Sequence, residues 1–68
     1  MERVILYSTN CPKCEVLKRK LYAKGIPFDE VTDVDLMRSM NFTEAPILEV
    51  GGNRMRFPEA NRWINEQE

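Results

Sequence analysis

Residues 3–14 of this 68-residue chain, RVILYSTNCPKC, decide its fold. Residues 3–7 form a mostly apolar run of strand length, which is typical of a strand covered on both faces. Residues 8–10 are polar and end that strand. Pro12 suits the first turn of a helix, where a missing backbone N–H costs nothing. The stretch therefore predicts a strand, a short turn and a helix, with Cys11 and Cys14 at the start of the helix.

The rest of the chain divides into short elements at its turn signals. The first helix carries Cys14, Leu17 and Leu21 at helical spacing and ends at Gly25, because glycine suits a helix C-terminus. A second strand is predicted over residues 26–31. It is followed by a cap at Thr32 or Asp33 and a short helix with Leu36, Met37 and Met40 on one side. Strands are predicted at 47–50 and 54–57 around a turn at 51–53, and a last helix begins at Pro58 with Ala60, Trp63 and Ile64 on one face.

This order, β-α-β-α-β-β-α, predicts an α/β fold. The first two strands should pair in parallel through the first helix, and the last two should form an antiparallel hairpin. The result is a four-stranded mixed sheet flanked by three helices. A chain of 68 residues is long enough for one small core, so we expect a single domain over residues 1–68.

The composition excludes several classes of function. The net charge is −1, so no general attraction to nucleic acid is expected. The chain has no histidine, which removes Ser-His and Cys-His catalytic pairs. No apolar run approaches the ~20 residues of a membrane span, and residues 4–7 are too short for a signal peptide. We therefore expect a chain that binds neither nucleic acid nor membrane.

The Cys11-Pro12-Lys13-Cys14 motif allows four interpretations. A structural disulfide would close too small a loop to stabilise much. A zinc or iron–sulfur site needs about four ligands, so a second chain or an added thiol would have to complete it. The cysteines could also be inert. The fourth interpretation, a redox dithiol, is favoured because the motif lies between a strand and a helix of a βαβ unit.

The position of each cysteine predicts its role. Cys11 lies at the N-cap, where free N–H groups, the helix dipole and the charge of Lys13 favour a thiolate and lower the pKa. Cys14 lies on the same face as Leu17 and should be buried and less acidic. Cys11 is therefore the predicted nucleophile, and Cys14 the thiol that resolves the mixed disulfide.

Together with Thr43-Glu44-Ala45-Pro46 before a strand, the motif resembles the thioredoxin superfamily. The short chain and the Cys-Pro-x-Cys form are similar to glutaredoxins and glutaredoxin-like redoxins, over essentially the whole length. The resemblance implies a minimal thioredoxin fold. It also implies a cis proline at Pro46 that faces the active cysteine and exposes the backbone of Ala45 for pairing with a substrate.

The resemblance further implies a small, monomeric thiol–disulfide oxidoreductase that reduces protein or glutathione mixed disulfides. Its catalytic residues would be Cys11 and Cys14, supported by Pro12, Lys13 and Pro46. Its substrate-binding residues would be Ala45, Thr9, Asn10 and Arg56. No bound cofactor is expected, and the electrons would come from glutathione or an NADPH-dependent reductase. Two cysteines in a redox motif indicate a cytoplasmic protein.

Two departures from glutaredoxins keep an alternative open. The lysine that often precedes the first cysteine is replaced by the uncharged residues 8–10, and residues 55–59 replace the usual Gly-Gly element before the last helix. Arg54 and Arg56 are either outward-facing strand residues, which the alternation favours, or substitute contacts for a glutathione carboxylate. The alternative is a redoxin that takes electrons from thioredoxin reductase and donates them to ribonucleotide reductase. A metal or iron–sulfur module is a third interpretation.

Overall fold

The computed structural model describes residues 3–9 and 11–67. The order of elements is the predicted one, β-α-β-α-β-β-α. The strands are β1 (Val4–Tyr7), β2 (Asp29–Val31), β3 (Ile47–Val50) and β4 (Asn53–Met55), and the helices are α1 (Pro12–Ala23), α2 (Val34–Ser39) and α3 (Phe57–Asn65).

The four strands form one mixed sheet in the order β2-β1-β3-β4. β1 pairs in parallel with β2, where Ile5 lies opposite Asp29. On its other side β1 pairs antiparallel with β3, and β3 and β4 form the predicted hairpin. The carboxyl end of β1, which leads to Cys11, therefore lies in the middle of the sheet.

Helices cover both faces of the sheet. On one face, α1 and α3 contact each other, and their wholly buried residues Leu17 and Ile64 pack with Leu6 of β1. On the other face, Met37 of α2 packs with Tyr7 of β1. β1 is thus covered on both sides, as its unbroken apolar run predicts.

The ends of the helices match several of the predicted signals. Gly25 follows α1 with a φ of 67°, and its N–H donates to the carbonyl of Tyr22 at 3.0 Å. This left-handed conformation is one that glycine adopts without steric cost. Asp33 caps α2, and its carboxylate accepts a hydrogen bond from the N–H of Leu36 at 3.1 Å.

The second strand is shorter than the predicted 26–31, because β2 begins at Asp29. Pro27 has no N–H to donate to a strand ladder, so regular pairing begins after it. Ile26 and Phe28 still contribute to the fold, since both pack partly buried against the core.

The boundary between β4 and α3 also differs from the prediction. The strand ends at Met55, and the helix begins at Phe57 rather than Pro58. Proline is tolerated throughout the first helical turn, so Pro58 takes the second helical position. Arg56 is therefore the N-cap of α3 and not an outward-facing strand residue. Arg54 does remain on the strand.

One predicted core residue is exposed. Leu36 is 44% exposed, whereas Met37 beside it is 4% exposed. Neighbouring residues of an α-helix are rotated by about 100° from each other, so Leu36 points away from the side on which Met37 is buried.

Candidate active site

Cys11 is the N-cap residue of α1. Its backbone is extended (φ −81°, ψ 162°), and its carbonyl accepts the first hydrogen bond of the helix, from Glu15 at 3.1 Å. Its sulfur accepts a hydrogen bond from the N–H of Cys14 at 3.3 Å. Pro12 fills the first helical position without presenting a competing donor. The helix N-terminus is therefore built around a partly exposed sulfur atom.

Cys14 lies one turn further into the helix and is 2% exposed. Both cysteines are free thiols, and the two Sγ atoms lie 2.7 Å apart. The sulfur atoms are thus already in contact, and a bond between them requires little movement of the backbone.

The two thiols differ in acidity. Burial acts to raise the pKa of Cys11, but hydrogen bonds from the side chain and N–H of Cys14, the N–H of Lys13 and the side chain of Thr9 lower the pKa below its ordinary value. Burial raises the pKa of the Cys14 thiol, and its hydrogen bond to Cys11 raises it further. Cys11 therefore carries the negative charge before Cys14 does, because its thiolate is the better hydrogen-bonded form.

Lys13 acts through its backbone rather than through its charge. Its N–H helps to lower the pKa of Cys11. Its ammonium group instead lies over the ring of Phe57, 5.5 Å from the ring centroid, in cation–π geometry. The lysine thus connects the start of α1 to the start of α3.

The loop before β3 faces Cys11. The Ala45–Pro46 peptide bond is cis, as the resemblance implies. The carbonyl oxygen of Ala45 lies 4.0 Å from the sulfur of Cys11, and the side chain of Pro46 is fully buried. The structure therefore brings two segments together, the loop before β3 with Ala45 and Pro46 and the segment between β1 and α1 with Thr9 and Cys11.

Arg56 and Asn10 are also predicted to bind substrate. Arg56 is the N-cap of α3, where it makes no side-chain cap hydrogen bond; its guanidinium instead lies 3.5 Å from the carboxylate of Glu44. This exposed ion pair joins α3 to the loop before Pro46. Asn10, which is predicted to bind substrate, lies outside the described residues.

Several residues beside this centre were not predicted from the sequence. A cavity of about 320 Å³ lies between α2 and the loop before Pro46, and Thr9 and Ala45 form part of its wall. Its other lining residues include Val34, Arg38 and Phe42. The four-residue spacing of Val34 and Arg38 after the cap at Asp33 was the available signal, because it places both on one side of a helix.

Within residues 3–9 and 11–67, no group of three or more histidine, cysteine, aspartate or glutamate side chains is arranged to hold a metal ion. The three helices of the same ranges are all too short or too polar to cross a membrane.

Comparison with known proteins supports the fold. No family model and no curated protein matches the sequence. Among solved structures, the chain is similar to an orthorhombic crystal form of NaGST1, with a TM-score of 0.76 and 18% identity over 94% of this chain and 34% of that one. It is also similar to a Nu-class GST from Haemonchus contortus, with a TM-score of 0.73 and 21% identity over 94% of this chain and 35% of that one.

The chain thus spans about a third of the length of each GST that it resembles. At these identities the similarity shows the fold alone. The fold is thioredoxin-like, with the Cys11–Cys14 pair at the start of its first helix, and the predicted minimal thioredoxin fold is confirmed.

Proposed function

We propose that this chain is a glutaredoxin-like thiol–disulfide oxidoreductase that reduces protein or glutathione mixed disulfides through Cys11 and Cys14. One observation carries the proposal: two free sulfur atoms of unlike acidity lie 2.7 Å apart at the start of a helix. A dithiol reductant needs this combination, because one sulfur must attack the substrate as a thiolate while the other stays protonated until the mixed disulfide has formed.

The reaction begins at the partly exposed sulfur. The Cys11 thiolate attacks one sulfur of the substrate disulfide and forms a Cys11–substrate mixed disulfide. The other half of the substrate leaves as a thiolate and takes up a proton. The backbone N–H groups of Cys14 and Lys13 hold the Cys11 sulfur in its attacking form until this bond is made.

The second step uses the buried sulfur. Once Cys11 is bonded to the substrate, Cys14 gives up its proton and attacks the Cys11 sulfur. The substrate half leaves as a thiol, and a Cys11–Cys14 disulfide remains. Two electrons have then passed from the protein to the substrate. Glutathione or a flavoprotein reductase that uses NADPH would return them.

The surroundings of Cys11 are consistent with a disulfide substrate. The Ala45 carbonyl next to Cys11 would accept a hydrogen bond from the backbone of an extended substrate, with Thr9 on the same side. We place this activity in the cytoplasm, where glutathione and thioredoxin systems keep thiols reduced. The protein would work as a monomer.

Two coupled assays test the proposal. Each follows oxidation of NADPH, one with glutathione and glutathione reductase and the other with thioredoxin reductase, and Cys11→Ser serves as the blank for both. Turnover above the blank in either assay supports the function. Turnover with thioredoxin reductase alone would favour the alternative, a redoxin that takes electrons from thioredoxin reductase and donates them to an enzyme such as ribonucleotide reductase. Turnover equal to the blank in both assays contradicts the proposal.

A further inference from the structure

The cavity beside Cys11 begins at a distance from the Cys11 sulfur that is about the length of one extended residue. Ala45 belongs to its wall, and the carbonyl of Ala45 is 4.0 Å from the Cys11 sulfur. An extended chain advances about 3.3–3.6 Å per residue. A substrate cysteine bonded to Cys11 would therefore place the side chain one or two residues away at the mouth of this cavity.

The cavity has an apolar side that is held in place. Met37 is 4% exposed, and Phe42 packs edge-on against the ring of Tyr7 with centroids 5.0 Å apart. The guanidinium of Arg54 lies 5.2 Å from the centroid of the Phe42 ring. Val34 completes the apolar side and is 48% exposed, so its side chain is accessible to a ligand in the cavity.

The charges at the cavity are not balanced. Glu44 and Arg38 both line it, but Glu44 is paired with Arg56 at 3.5 Å. In the part of the chain that the structure describes, Arg38 makes no ion pair. A guanidinium next to an apolar cavity attracts a carboxylate.

We propose that this cavity binds an apolar side chain next to the disulfide cysteine of a polypeptide substrate, and that Arg38 favours substrates with an acidic residue beside that side chain. The inference rests on the proposed function and narrows it to one substrate class, protein disulfides with an apolar–acidic pair at the cysteine. Glutathione lacks this feature, because its cysteine is flanked by glutamate and glycine and carries no apolar neighbour.

The test measures reduction of symmetrical disulfides of short peptides by the prereduced protein. In each peptide a single leucine lies one or two residues before or after the cysteine, and a glutamate lies next to the leucine on the side away from the cysteine. Partner peptides carry serine in place of the leucine, or glutamine in place of the glutamate. At the favoured position we expect kcat/KM for the leucine–glutamate peptide to exceed that of the serine–glutamate peptide on the order of 10-fold, since a hydrophobic pocket discriminates by this amount. The glutamine peptide should be reduced about threefold more slowly than its glutamate partner.

Two variants on the same helix provide a matched control. Val34→Asn and Leu36→Asn each replace an apolar residue of similar exposure, 48% and 44%, in the first turn of α2. Only Val34 lines the cavity. Val34→Asn should bring the leucine-to-serine ratio close to one, whereas Leu36→Asn should keep the wild-type ratio. Arg38→Gln should remove the difference between glutamate and glutamine peptides.

Bis(2-hydroxyethyl) disulfide, which has no side chains, separates this inference from the proposed function. If the wild-type protein reduces it but reduces all peptides at equal rates, the cavity has no role in selection and the inference is overturned alone. Equal effects of the two asparagine variants on the ratio would also overturn it. If the protein reduces no disulfide at all, the proposed function and the inference both fall.

Discussion

Helices α1 and α3 begin with nearly the same backbone conformation, but their N-cap side chains make different contacts. Their N-cap residues, Cys11 and Arg56, have φ, ψ values of −81°, 162° and −77°, 173°, and each helix has a proline in its first turn. Cys11 turns its side chain back to accept the N–H of Cys14. Arg56 makes no such bond and reaches across to Glu44 instead.

The comparison of Cys11 with Arg56 distinguishes the effect of the helix backbone on a negative charge from the effect of the N-cap side chain. Both helix starts present unpaired N–H groups and the positive end of a dipole, which favour a negative charge. Both helices also carry a glutamate in the first turn, but only α1 has an N-cap side chain that can become negative. The two helix starts therefore share the proline and the extended backbone of the N-cap residue. They differ in the N-cap side chain, and only the thiol of Cys11 can react.

Replacing the reactive cap should have the largest effect. Cys11→Ser leaves a hydroxyl that can still cap α1, so we expect the helix and the fold to remain. A serine hydroxyl is not ionised near neutral pH, and disulfide reduction should fall to the uncatalysed rate. The coupled NADPH assays measure the loss, and circular dichroism checks the fold. Reduction above the uncatalysed rate would contradict the role of Cys11.

Replacing the buried partner should stop the reaction halfway. With Cys14→Ser, Cys11 can still attack a substrate disulfide, but no second thiol is present to release the product. A mixed disulfide between Cys11 and the substrate should accumulate to about one per protein. Intact-mass spectrometry detects it. Failure to trap any adduct at Cys11 would mean that the two roles are wrongly assigned.

Thr9 should have a smaller effect, because its side chain is one of several groups that lower the pKa of Cys11. Thr9→Val keeps the shape of the side chain and removes the hydroxyl, so the pKa of Cys11 should rise. Thr9→Ser restores the hydroxyl and is the matched control. The pH dependence of Cys11 alkylation measures both variants. The same pH midpoint in Thr9→Val and wild type would show that the hydroxyl plays no part.

The smallest expected effect is a gain at the cap of α3. Arg56→Ser would provide the side-chain acceptor that this helix lacks, which typically raises the free energy of unfolding by about 1 kcal/mol. The exposed pair with Glu44 complicates a direct comparison, so both proteins should carry Glu44→Gln. Urea unfolding measures the difference. A lower stability in the Arg56→Ser protein would mean that α3 cannot use a side-chain cap.

Local signals in the sequence predicted most of the fold and the centre of the site. Prolines in first turns, Gly25 after α1 and the apolar spacing of Cys14, Leu17 and Leu21 each act within a few residues, so they can be interpreted without a structure. The same holds for the unlike acidity of the two cysteines, which depends on their places in one helical turn.

The features that were missed depend on contacts between distant segments, whereas the misplaced starts of β2 and α3 follow from the prolines beside them. The contact of Phe42 with Tyr7 and the ion pair of Arg56 with Glu44 each join separate elements. Lys13 lies close to Cys11 in sequence, but its ammonium is drawn to Phe57 of α3. Local patterns predict which residues can cap a helix or lie on one of its faces. They do not predict which side chains from other elements will contact those residues.

The most direct measurement is the pH dependence of alkylation at each cysteine of the reduced protein, followed by peptide mass spectrometry. Alkylation requires the thiolate, and the thiolate fraction rises with pH through the pKa. Since the pKa of Cys11 is lowered and that of Cys14 is raised, Cys11 should react with a midpoint below that of an ordinary cysteine, and Cys14 with a midpoint above it. Equal midpoints, or earlier reaction of Cys14, would contradict a division of roles between the two thiols.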